Sequence, residues 1–223
     1  MAEDATALFS KIEFAVLGKK EGGQWLVGYI PLFGNAQYTG KSLWDDRSVT
    51  VGRSGVTIAT GFDVGQWSAG DLAKLPISEG LRAKLRPFVA PLVGRLAGVK
   101  LHARKGLEIT QAEANELDAA VPKKVLADFV GAYEKERRRS GGAIPFADLP
   151  DEICTAMFSF AYQYGADWGP AKKGTADFAQ AYWTHITSQD WVKAMAVLRS
   201  YSEHRLRRQH EAELIAKGVA KIK

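Results

Sequence analysis

An α+β fold, mostly helical, with a small N-terminal β-region and a larger helical lobe, is predicted by three features of this sequence. Residues 55–62, Gly-Val-Thr-Ile-Ala-Thr-Gly-Phe, carry β-branched side chains with two-residue alternation, the mark of a strand. From about residue 68 the texture turns helical and stays so, with N-terminal capping patterns at Ser68-x-x-Asp71 and Thr110-x-x-Glu113. The composition is that of an ordinary globular chain: 46% hydrophobic and 25% charged over 223 residues, long enough to bury a core.

The elements follow in chain order. Residues 5–20 read as a helix, because Phe9, Ile12, Val16 and Lys20 fall at three- and four-residue steps and Gly22-Gly23 is a stop signal. Trp25 to Ile30 reads as a strand ending at Pro31, residues 32–54 as an irregular loop, and residues 55–62 as a second strand. Ser78, Asp148 and Ser188 are further candidate caps. Helices are expected over roughly 69–75, 79–86, 88–97, 111–119, 123–138, 151–163, 175–184, 189–200 and 203–217. Arg137 to Gly142 reads as an exposed loop. The chain is expected to form a single catalytic domain over 1–223. Residues 1–67 would supply a helix and the β-region, residues 68–223 the helical lobe, with a cleft flanked by the two.

Composition limits the chemistry. The net charge of +5 favours an anionic surface or polymer but is too slight to point to nucleic acid. Cys154 is the only cysteine, so no intrachain disulfide forms and C-x-x-C patterns are excluded. His102, His185, His204 and His210 show no ligand spacing, and no metal or other cofactor is expected. The start, Met-Ala-Glu-Asp, is acidic where a secretory signal is basic, and no apolar run reaches the ~18 residues of a membrane span. We therefore expect synthesis in the cytoplasm without a signal peptide and no membrane insertion. The default oligomeric state is the monomer.

Three residues carry candidate chemistry. Glu21 stands at or just past the end of the first helix, where the partial negative charge favours the protonated carboxyl that a general acid needs. It also stands in a Lys19-Lys20-Glu21 charge run that solvent alone explains. In a strand over 55–62, Thr57, Ala59, Gly61 and Asp63 would line one face, a hydroxyl and a carboxylate with small residues between. Equally, Asp63 would begin a turn with Gly65, and Thr57 is a good strand former. Alternation alone leaves both readings open. Tyr162, Tyr164, Trp168, Tyr182 and Trp183 are core residues or stacking platforms, Arg205-Leu-Arg-Arg208 reads as a helix face with solvated charges, and Cys154 as a small buried residue.

Glu21-Gly-Gly…Gly28-Tyr-Ile-Pro31 followed by Ser54-Gly-Val-Thr-Ile-Ala-Thr-Gly-Phe-Asp-Val-Gly65 resembles the catalytic segment of the pesticin-like branch of phage-type lysozymes. Ile109 to Leu117, Phe158-Ser-Phe-Ala-Tyr-Gln-Tyr-Gly165 and Arg207-Arg-Gln-His-Glu-Ala-Glu-Leu-Ile215 resemble further helical blocks of the same family, in the same order. The resemblance implies a lysozyme-like fold. It implies a catalytic group of Glu21, Thr57 and Asp63, because five residues separate the Thr from the Asp here as in the pesticin-like pattern. The chain departs from the family in a longer loop from Gln37 to Arg53, whose Asp45 and Asp46 compete with Asp63 for its role. It also has Ala59 where a glycine is usual, and Gln163 where the family has Asn.

The activity implied is that of a muramidase, which cuts the β-1,4 bond between N-acetylmuramic acid and N-acetylglucosamine in peptidoglycan. Glu21 would be the acid, Asp63 the ionised partner, and Thr57 would help position water. The resemblance favours inversion at the anomeric carbon. It also implies an antibacterial toxin, such as a type VI secretion effector, that acts on the periplasmic wall of a target cell and has a cognate immunity protein as partner. A phage endolysin, a chitin or chitosan hydrolase and a non-catalytic cell-wall binder are the alternatives.

Overall fold

The computed structural model describes residues 5–14, 23–45, 47–166, 177–202 and 204–222. Its contacts group into two compact units, Glu21–Val121, and Met1–Lys20 with Pro122–Lys223. The expected change of lobe near residue 67 does not coincide with this division. Short helices after residue 67 group with the sheet, and the segment between them is bonded to the chain flanking β3 and β4: Ala90 N–H donates to Trp67 O at 2.8 Å and Gly94 N–H to Ser54 O at 2.9 Å.

The unit of residues 21–121 is built on a four-stranded antiparallel sheet. Its strands are β1 (Trp25–Pro31), β2 (Gln37–Tyr38), β3 (Thr57–Ala59) and β4 (Phe62–Asp63), in the order β2-β1-β3-β4. The single strand expected over 55–62 is a hairpin. Ala59 at φ 51° and Gly61 at φ 80° occupy the left-handed region and turn the chain back on itself. The turn is held from outside the sheet: Thr60 donates through its N–H to Asp118 Oδ1 at 3.1 Å and through its hydroxyl to Asp118 Oδ2 at 2.8 Å. The loop 32–54 is less irregular than expected, since it contributes β2 and a bridge between Leu32 and Thr50.

Helices α2 (Ala69–Lys74), α3 (Glu79–Leu85) and α4 (Gly94–Ala103) follow. Ser68 and Thr110 cap as the sequence predicts, Ser68 Oγ accepting from Asp71 N–H and Thr110 trading two bonds with Glu113. Ser78, Asp148 and Ser188 make no side-chain cap; Asp190 caps the helix that Ser188 was expected to start. The helix expected over 88–97 is displaced to 94–103, because Pro87 and Pro91 break the pattern and hold residues 86–93 as a 3-10 turn and loop. The two helices expected over 111–119 and 123–138 are one, α5 (Gln111–Ser140), which continues through Pro122. One backbone bond is lost at Pro122, while Leu117, Val121, Leu126 and Phe129 are buried on either side of it. Arg137 is part of this helix rather than a loop, paired to Glu134 at 2.7 Å.

Among its described residues the other unit has helices and no strand. α1 spans Ala5–Ser10; residues 15–20 of the helix predicted there lie outside the described residues. α6 (Asp151–Tyr164) is its axis, buried all round from Ile153 to Ala161. α7 (Asp177–Thr187), α8 (Trp191–Ser200) and α9 (Arg205–Val219) follow; α9 packs against α6 and α8, and α8 against α7. Leu8 and Ile12 join its core with Phe129, Phe158, Trp183 and Ile215. Gly218 lets α9 close on α6, for a Cβ there would lie 2.5 Å from Ile153 Cγ1. Tyr182 and Trp183 are core residues, and Trp168 lies outside the described residues. Cys154 is fully buried, and burial pushes its thiol up to about 12, which removes it as a nucleophile.

The arginine cluster departs from the predicted solvated face. Arg205 and Leu206 are exposed, but Arg207 and Arg208 are buried, Arg208 completely. Arg207 donates from Nε to Ser159 Oγ at 3.1 Å and from Nη2 to Ser159 O at 2.8 Å. Ser159 Oγ donates in turn to Glu211 Oε1 at 2.6 Å. Arg208 Nη1 lies 2.8 Å from Glu211 Oε2, close enough for an ion pair though out of line for a hydrogen bond. Arg208 Nη2 donates to Gln163, and its guanidinium lies over the rings of Phe160 and Tyr164. Burial raises the Glu211 carboxyl and lowers Arg208, opposed in both by their mutual attraction. Removal of one partner leaves the other charged and dry. Glu211→Ala is expected to lower stability by about 3–5 kcal/mol in urea unfolding; a loss below about 1 kcal/mol would show that water reaches Arg208.

Candidate active site

The hairpin brings Thr57 and Asp63 directly opposite each other. The bond from Val64 N–H to Val56 O, 2.8 Å, flanks this pair, so it is the close, non-hydrogen-bonded kind with Cα atoms about 4.5 Å apart. On the other side of β3, Tyr29 of β1 pairs with Thr57, and Trp25 pairs with Ala59. Directly paired residues share a face, so Tyr29, Thr57 and Asp63 form one row across three strands. Trp25 joins that row through its ring, 5.4 Å from the ring of Tyr29. The sequence predicts Thr57 and Asp63 on one face by counting along a strand; the structure reaches the same neighbourhood by folding the chain at Thr60.

Asp63 is clamped by backbone amides. Gly55 N–H lies 3.1 and 3.0 Å from its two carboxylate oxygens, and Gly65 N–H donates to Oδ1 at 3.0 Å. Gln66 Nε2 stands at 3.5 Å from Oδ2. Two glycines are needed because the strands meet backbone to backbone. A Cβ on Gly65 would lie 2.3 Å from Leu92 O and 2.8 Å from Gly55 Cα, and one on Gly55 would lie 2.6 Å from Gly65 Cα. Gly55 and Leu92 were not singled out in the sequence, since neither carries chemistry in its side chain. Burial raises the Asp63 carboxyl to about 6, while the amides of Gly55 and Gly65 and the side chain of Gln66 pull the other way. Above that pH it is an anion held in place.

Thr57 is buried, 6% exposed, and its hydroxyl makes no hydrogen bond among the described residues. Such a hydroxyl, beside a clamped carboxylate, is able to hold a water or a polar ligand group. At the end of the sheet where the hairpin turns, Gln24 donates to Asp118 at 2.6 Å and to Asn115 at 3.2 Å and accepts from Gln111. Asp118 therefore ties the start of β1 and the hairpin tip together.

The remaining candidates separate. Glu21 and Asp46 lie outside the described residues. Asp45 sits on the surface, its carboxylate taken by Arg47 through Nε and Nη2 at 2.9–3.2 Å, which holds it below the usual carboxylate range. Among the described residues no group of three or more His, Cys, Asp or Glu is placed to hold a metal ion, and no helix is long and apolar enough to cross a membrane.

Residues 11–192 match the pesticin family model, described as a bacterial toxin homologue of phage lysozyme, C-terminal part. The chain belongs to this family. The matched segment takes in Glu21, the whole sheet and helices α2 to α7. The α+β fold is that of a lysozyme-like domain. No curated protein matches the chain.

Two outcomes follow from the clamp. Gly65→Ala is expected to destabilise the protein by about 1–3 kcal/mol, because the contacts are to backbone that cannot swing aside; thermal unfolding reads it, and an unchanged midpoint would refute the close packing. The folded state binds the Asp63 proton more tightly than the unfolded chain, 6 against an ordinary 3.8. Its contribution is therefore complete below about pH 4 and is lost as pH rises through about 6. Comparing urea unfolding of wild type and Asp63→Ala from pH 4 to 7, the wild type should lose this increment of stability and the variant should not.

Proposed function

We propose that the protein is a muramidase, hydrolysing the β-1,4 bond between N-acetylmuramic acid and N-acetylglucosamine in peptidoglycan. The observation that carries this reading is the pair on the hairpin: an amide-clamped carboxylate, Asp63, directly across from a buried Thr57 hydroxyl with no partner among the described residues. Glu21 completes the set. It precedes Trp25 by four residues in the chain, and Trp25 pairs with Ala59 on the same strand as Thr57.

Glycoside hydrolysis needs one carboxyl to protonate the leaving oxygen and a second, ionised, to act on the opposite side of the ring. In this reading Glu21 gives its proton to the glycosidic oxygen as the bond to the anomeric carbon breaks. Asp63, ionised above pH 6, accepts a proton from water as that water attacks the same carbon, with the Thr57 hydroxyl holding the water in line. The products are two shorter glycan ends, and the configuration inverts. Asp45 suits this role poorly, being neutralised by Arg47 at the surface.

The family description as a bacterial toxin supports an antibacterial effector over an endolysin. We place its action on the peptidoglycan of a target cell after synthesis in the cytoplasm, with a small immunity protein as the partner that protects the producer. Protection by the product of a neighbouring gene would separate an effector from an endolysin.

The direct test is release of soluble muropeptides from purified cell walls. Wild type should release them, Glu21→Gln should not, and Asp63→Asn should be slower by about 100-fold or more. Equal release by wild type and Glu21→Gln would overturn the assignment, and cleavage of chitosan oligomers but not cell walls would move the substrate. The wild-type rate should also fall as pH drops below about 6, where Asp63 takes up a proton. A flat profile from pH 7 to pH 5 would remove Asp63 from the chemistry.

A further inference from the structure

We propose that Trp25 and Tyr29 form a sugar-binding platform beside the reacting pair, taking the apolar face of an N-acetylhexosamine ring of the glycan strand. The proposal rests on the muramidase reading for what the ring belongs to, but the platform itself is read from the sheet. Trp25 and Tyr29 lie on one face of β1, opposite the face that buries Gly28 and Ile30. Their rings stand 5.4 Å apart and tilted by 59°. The register puts Tyr29 against Thr57 and Trp25 against Ala59, so the aromatic strip runs alongside the Thr57–Asp63 pair.

The fold leaves the Trp25 indole partly uncovered. It is 38% exposed, whereas Trp183 is 2% exposed. Its partner across the ladder is Ala59, a side chain too small to cover an indole. Hexopyranose rings carry an apolar face of C–H groups and a polar rim, and an indole offers a flat apolar face of matching size. The rim needs hydrogen-bonding groups in fixed positions. At the same end of the sheet the exposed amides of Gln24, Gln111 and Asn115 are locked to one another and to Asp118, so they present donors and acceptors without loss of side-chain freedom on binding.

The experiment has a binding arm and a kinetic arm. Wild-type protein is titrated with the N-acetylglucosamine tetramer while the indole N–H resonance of Trp25, assigned with Trp25→Phe, is followed by NMR. Trp25 should shift saturably and Trp183 should not. In muropeptide release, Trp25→Ala should raise KM by about tenfold with kcat within about twofold, and Trp25→Tyr, which restores a flat ring, should recover most of the loss. An unmoved Trp25 resonance at saturating tetramer overturns the platform, as does an unchanged KM in a Trp25→Ala protein that melts with wild type. If Trp25→Ala does not fold, the titration of wild type decides alone. Saturable binding at Trp25 by a protein that releases no muropeptides would uphold the platform and overturn the muramidase reading.

Discussion

The grip of two backbone amides on the carboxylate of Asp63 organises the sheet unit. Gly55 and Gly65 reach it from the two flanks of the hairpin, so one side chain ties the approach to β3 to the exit from β4. That geometry demands glycine at both positions, brings the Leu92 carbonyl against them, and holds the 54–67 segment to the loop before α4. Two effects oppose each other at the carboxyl. Partial burial favours the neutral form, the amides favour the anion, and the outcome near 6 leaves a group that changes charge close to neutrality. A freely solvated aspartate would be a weaker base, and an unclamped buried one would stay protonated.

Much of this was legible in the sequence, but for reasons that differ by scale. Two-residue alternation pairs Thr57 with Asp63, and it does so correctly because a turn centred on Thr60 preserves the parity of a straight strand. The hairpin itself was hidden, since Ala59 in the left-handed region is not a usual turn residue. Tyr29 was not singled out, because its place beside Thr57 depends on a register between distant strands that shifts between Trp25 and Tyr29. Glu21 is a candidate from its place after the first helix and from the family pattern, and it lies outside the described residues. Pro122 predicts a break between two helices, but the one backbone bond it removes is outweighed by the buried residues on either side.

Arg207 and Arg208 show the same limit in the helical unit. Charged residues are usually at the surface, and nothing local says otherwise. Their burial depends on Ser159, Gln163 and Glu211, which the fold brings to one place from α6 and α9. The two helical blocks that resemble the family were thus two halves of one contact. Gln163 in the place of the family's Asn keeps an amide oxygen for Arg208. A buried ion pair of this kind is weak evidence of stability in itself, but it admits few alternative ways to seat α9.

The order of the chain gives the helical unit a further property. Its core joins Leu8 and Ile12 to residues of α6 and α9 that are translated after the sheet unit, while the sheet unit is one unbroken stretch, Glu21–Val121. On the ribosome, the stretch from 21 to 121 has all its own parts before the rest emerges. The helical unit has to wait, because Glu211, the counter-charge of Arg208, and α9, which packs on α6, are made long after Leu8 and Ile12. A nascent copy stalled short of α9 therefore carries an incomplete helical core.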